Sequence, residues 1–234
     1  MTSWLRRRPS LEQRIADALA AVRAGEHERG MALLEGHFAD ALAALLGRPL
    51  PADTGWLHLV AYLQYRTGEL PSAVETAERL RSLGPDGAAL HLLGRIRIWL
   101  QRPDAEEAFA GAADLDPEHY ARPFRVDPDQ FERMAAAALA RIPAEFHQFL
   151  DNTMIVVEPL PRLRAVRAGE DPDLLGLYEG ATALERGLPE RIVLYQLNHE
   201  NVSGSREELA ELIEETVRHE VGHHFGMEED ELPY

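Results

Sequence analysis

The stretch Arg218-His219-Glu220-Val221-Gly222-His223-His224-Phe225-Gly226 holds the residues best suited to chemistry in this chain. On a helix, His219 and His223 stand one turn apart and project side by side, about 40° from each other around the axis. Two imidazoles so placed can grip one tetrahedral metal ion. Glu220 points about 100° away from His219, beside such an ion and not onto it. From there a carboxylate can take the proton of a water that the ion has acidified, the first step in hydrolysing an amide. The sequence has ten histidines and no cysteine, so any transition metal must be held by imidazole and carboxylate.

A site of this kind needs a third protein ligand. Eleven residues follow His223, reading HFGMEEDELPY. A ligand on a second helix, at least about twenty residues downstream, is therefore not expected. Gly226 is expected to end the helix in a left-handed turn and to bring the chain back over the ion. In the longer spacing H-E-x-x-H-x-x-G-x-x-H the third ligand falls at Glu229. Glu228, Asp230 and Glu231 offer the same chemistry nearby, and His199 is an upstream alternative. His224 lies on the apolar side of the helix and reads as a packed or ligand-supporting histidine. His224, Tyr195 and Tyr234 are the candidates for stabilising an oxyanion.

The elements that must position these groups follow from pattern. Leu209, Ile213, Val217 and Val221 recur every four residues, so a long helix from Ser205 has one apolar face to lay on a sheet. Ser205 with Glu208 three residues on is a capping box, and the acidic first turn suits the helix dipole. Upstream, TMIVVEP (153–159), LLGLYEG (174–180) and RIVLYQL (191–197) have strand composition and are bounded by Gly or Pro. RIVLYQL directly precedes the helix and is the strand expected to pair with an extended peptide. FERMAAAALARIP is a further helix, opened near Asp127-Pro128 and closed before Pro143, while 161–173 and 185–190 read as loops.

The first half has a different texture. LEQRIADALAAVRAG and MALLEGHFADALAALLG read as helices ending at Gly25 and Gly47, followed by a turn-rich connector, 48–55. GELPSAVETAERLRSLGP (68–85) and QRPDAEEAFAGAADLDP (101–117) then align, with Ala73 on Ala105, Ala77 on Phe109 and Pro85 on Pro117, at a period of 32. That is close to the period of about 34 in helix–turn–helix repeats. WLHLVAYLQYRTG and ALHLLGRIRIWLQ supply the first helix of each pair. The small, aromatic and Asp-Pro positions resemble the second helix of tetratricopeptide repeats. The expected fold is α+β: a helical-hairpin domain over 1–125, then a small α/β domain over 126–234 with a three- to four-stranded sheet and an active-site helix.

Composition narrows the partners. Of 234 residues 45% are hydrophobic, which is ordinary for a globular protein. Lys and Arg number 24 against 40 Asp and Glu, a net charge of −16, which disfavours nucleic acid and anionic membrane as partners. The arginines at positions 6–8 precede an amphipathic stretch with Glu12, Arg14 and Asp17, not a signal-peptide core. No run approaches the roughly 18 apolar residues of a membrane span, so a cytoplasmic protein is expected.

HEVGHHFGMEEDEL, with GLYEG, LPERIVLY and NTMIVVEP before it, resembles the small bacterial zincin-like family of minimal metalloproteases over roughly residues 127–232. The resemblance implies a reduced zincin core and one zinc per chain, held by His219, His223 and Glu229, with Glu220 as general base. Members of that family commonly carry aspartate at the third position, where this chain has a glutamate one methylene longer. The activity so implied is that of a zinc metalloendopeptidase acting on peptide or protein; the helical region, outside the likeness, is expected to dock a partner or substrate. The competing reading is a non-catalytic zinc-binding adaptor that presents its helical repeats to peptides. Retention of Glu220 favours the enzyme, because a purely structural zinc does not need it.

Overall fold

A computed structural model describes residues 9–47, 53–143, 150, 153–180, 190–225 and 227. Contacts divide the chain into two compact units. The first runs to Leu115 and includes Val166–Gly169; the second takes Asp116–Ala165 and continues from Glu170.

The first unit is helical: α1 (Leu11–Arg23), α2 (His27–Ala32), α3 (Phe38–Leu46), α4 (Thr54–Arg66), α5 (Leu70–Arg81), α6 (Gly87–Trp99) and α7 (Ala105–Leu115). The stretch read as one helix over 31–47 is interrupted between α2 and α3, where Gly36 takes a φ of +73° that a right-handed helix does not allow. Side-chain oxygens of Ser10, Asp53 and Asp86 accept N–H groups in the first turns of α1, α4 and α6. α4 packs on α1, α3, α5 and α6, and is accordingly apolar on nearly every face: Trp56, Leu57, Leu59, Val60, Leu63 and Tyr65 are all buried. α4–α5 and α6–α7 form successive helical hairpins. In the second, Gly94 lies under the Phe109 ring, where a Cβ would come within 2.9 Å of three ring carbons. Arg97, nearly enclosed, ties the helices by pairing with Glu78 and donating to the Asp104 carbonyl.

The second unit comprises α8 (Pro128–Ala140), β1 (Thr153–Glu158), the short α9 (Leu163–Val166), β2 (Gly176–Glu179), β3 (Glu190–Tyr195), α10 (Gln196–Asn201) and α11 (Arg206–His224). The sheet order is β1-β3-β2, with β1 parallel and β2 antiparallel to β3. The last residue of α9 belongs to the first unit. β3 is therefore central, and Ile192, Val193, Leu194 and Tyr195 are all buried, as expected of a strand covered on both faces. Asp127 caps α8, and Ser205 caps α11 by accepting from the Glu208 N–H, while Glu208 reaches back to the Gly204 N–H. Leu209, Ile213, Val217 and Val221 form one core with Phe131, Ala135, Ile192 and Leu194, so the four-residue repeat buries the face the sequence assigns to it.

Glu200, on α10, is almost fully enclosed. Its carboxylate accepts from Arg125 Nη1 (3.3 Å), the Val126 N–H (3.1 Å) and Gln196 Nε2 (2.8 Å). A buried carboxylate is tolerable only with donors of this number. Beside it, Phe124 N–H donates to the Ser203 carbonyl at 2.8 Å. Among the described residues no helix is long and apolar enough to cross a membrane.

Candidate metal centre

α11 carries the motif near its C-terminal end. His219 Nε2 and His223 Nε2 approach to 3.0 Å, with ring centroids 4.7 Å apart and planes at 84°. Two nitrogens on one tetrahedral zinc at 2.0–2.1 Å would be about 3.3 Å apart. The pair thus fits a shared ion closely. His223 Nδ1 is 3.2 Å from the Met227 carbonyl, which can only accept. That bond puts the His223 proton on Nδ1 and leaves Nε2 its lone pair, the usual way an outer partner prepares a histidine for metal.

Met227 is placed there by the helix end. Phe225 N–H bonds to Val221 O, and Met227 N–H to Gly222 O at 3.1 Å, so the chain turns back over the last turn. Gly226, to which the sequence assigns that turn, lies outside the described residues, as do Glu228, Glu229, Asp230, Glu231, Tyr234 and the side chain of His224. Among the described residues no third His, Asp or Glu joins the histidine pair.

Glu220 is buried, as a side chain on the inner flank of the motif must be. Its Oε2 accepts the Tyr178 N–H of β2 at 2.7 Å. Its Oε1 and Cγ pass directly beside Gly176, where a Cβ would stand 2.8 and 2.9 Å from them. The GLYEG segment thus approaches the helix through a glycine and a backbone amide. A glycine inside a strand is the one sequence signal that could have marked it.

The other candidates sit elsewhere. His199 is fully enclosed: Nδ1 bonds the Tyr195 carbonyl (2.9 Å), Nε2 meets Thr216 Oγ1 (3.1 Å), and the ring packs edge-on to Phe131. Both nitrogens are engaged, and burial lowers its pKa to about 4, so it is a neutral structural residue. Tyr195 closes β3 with its phenol pushed up to about 12, first by burial and then by Glu170, Glu158 and Glu179. None of those groups belongs to the histidine pair. RIVLYQL, expected to pair with a peptide, is β3, and both of its edges are taken by β1 and β2. Its last two residues already belong to α10. The strand that faces Glu220 is β2, the outer strand next to β3 among the described residues.

On the flank of α11 turned toward α8, a mainly apolar groove of ≈ 300 Å³ is lined by Ala138, Ile142, Pro143, Val221, Gly222, Phe225 and Met227, with Arg141, Glu214 and Arg218 also on its wall. It shares Met227 with the His223 contact.

Residues 150–234 match the family model of zincin-like metallopeptidases. That match spans the sheet, α9, α10, α11 and the motif, and leaves α1–α8 outside it. No curated protein matches the chain.

Proposed function

We propose that this protein is a zinc-dependent metallopeptidase in which His219 and His223 bind the ion, Glu229 completes the ligand set and Glu220 is the general base. The 3.0 Å approach of the two Nε2 atoms carries this reading, because imidazole nitrogens so close either share a proton or share an ion. Zinc supplies Lewis acidity, polarising a carbonyl and acidifying water. Glu220, anchored by the Tyr178 N–H, would accept the proton of the attacking water and return it to the leaving amine nitrogen. Met227 holds His223 in the ligating tautomer through its carbonyl.

The helical hairpins of the first unit, with their tetratricopeptide-like spacing, would dock a protein partner or substrate.

The test is Glu220→Gln in zinc-loaded protein. Zinc content and melting temperature should stay near wild type while hydrolysis of any cleaved peptide falls about 10²-fold or more. A zinc-loaded wild type that cleaves nothing across a broad peptide library would leave the non-catalytic zinc-binding adaptor in its place.

A further inference from the structure

We propose that β2 positions the general base: the Tyr178 N–H fixes one carboxylate oxygen of Glu220, and Gly176 leaves room for the other. This rests on the reading of Glu220 as general base, but its geometric half stands on contacts within the second unit. The strand register shows why this amide points toward Glu220 and not toward β3. Tyr195 N–H bonds the Leu175 carbonyl, so Leu175, Leu177 and Glu179 are the positions that exchange hydrogen bonds with β3. Gly176 and Tyr178 alternate with them and turn their N–H groups away from β3, toward the outer edge. The Glu220 carboxylate meets the second of these at 2.7 Å, a charge-assisted bond.

Gly176 is required for space, not for backbone conformation, since it is not among the residues with positive φ. A Cβ there would lie 2.6 Å from Thr216 Cγ2 as well as 2.8 Å from Glu220 Oε1. Thr216 cannot swing aside cheaply, because its hydroxyl lies between two acceptors, the Leu212 carbonyl (2.8 Å) and His199 Nε2 (3.1 Å), and turning away would deprive both of its one proton. The methyl would therefore press on Glu220. A glutamate has three side-chain torsions to freeze, and the two contacts with β2 freeze them before substrate arrives. Gly176 and Tyr178 are positioning residues in this sense: they act through Glu220.

Amide hydrogen exchange and peptide kinetics on the full chain test this together. Glu220→Ala should raise exchange at the Tyr178 amide at least ten-fold while leaving the β3-bonded amides of Leu177 and Glu179 protected. Gly176→Ala should do the same, keep zinc content, and lower kcat about ten-fold on a fluorogenic peptide that the wild type cleaves, with KM little changed. Adding Thr216→Ser removes the competing methyl contact; the double variant should regain its melting temperature but neither kcat nor Tyr178 protection. Equal Tyr178 exchange in wild type and Glu220→Ala overturns the proposal, as does full recovery in the double variant, which would make Gly176 a packing residue only. If zinc-loaded wild type cleaves no peptide, the metallopeptidase reading fails by itself, and the exchange measurement still decides whether β2 holds Glu220.

Discussion

His219 Nε2 and His223 Nε2 stand 3.0 Å apart on successive turns of one helix, and the second ring is steadied by the Met227 carbonyl. One zinc per chain is the expected stoichiometry. Elemental analysis should find it in the wild type and find it largely gone from His219→Ala and His223→Ala. Equal metal in all three proteins would refute the assignment.

The proposed third ligand, Glu229, and the proposed base, Glu220, are separable by mutation. Glu229→Ala should weaken zinc affinity, measured by competition with a chelator, by about 10-fold or more, with loss of hydrolysis following loss of metal. Asp230→Ala should do neither. If the two variants exchange behaviour, the ligand is one residue further along the acidic tail.

His199 makes the second unit acid-sensitive. Burial holds its pKa at about 4, against about 6.5 in an unfolded chain. The folded state therefore favours the neutral ring. The resulting stability is complete above about pH 6.5 and is lost progressively as pH falls toward 4, on the order of 3 kcal/mol in all. Melting temperature should fall through that window in metal-free wild type and fall less steeply in metal-free His199→Gln. Parallel curves would show that other groups govern the acid response.

The helical region should fold alone. Expressed as residues 1–125, it is expected to melt cooperatively with a helical circular dichroism spectrum, because its core, from Ile15 and Leu34 to Trp56 and Leu80, is drawn from its own helices. A fragment without a thermal transition would mean that it depends on the rest of the chain.

Legibility in the sequence followed the range of the interactions. α11, its Ser205–Glu208 cap, its buried row and the histidine pair all arise from residues three or four apart, and all could be read directly. The three strands were legible as strands, but not their order. TMIVVE and RIVLY are both near-continuous apolar runs, and nothing local says which one lies between two neighbours. α10 escaped notice for a related reason. Its buried Asn198 bonds the carbonyls of Pro172 and Leu174, so the partners that make those polar residues buriable are remote in sequence. The Tyr178 contact with Glu220 was hidden more completely, since a backbone amide has no signature in the sequence at all.

The Arg125–Glu200 pair joins residues 75 positions apart, and β1 must find β3 across the intervening β2. The helical unit, by contrast, is built largely of neighbours: α4 with α5, α5 with α6, α6 with α7. Chains rich in local contacts fold faster than those that must close long loops. On a ribosome, then, the helices can reach their final packing while the second unit waits for Glu200 and α11 to emerge. His219 and His223 follow every one of α1–α7 in the sequence, so a nascent chain can pack those seven helices before it carries the histidine pair at all.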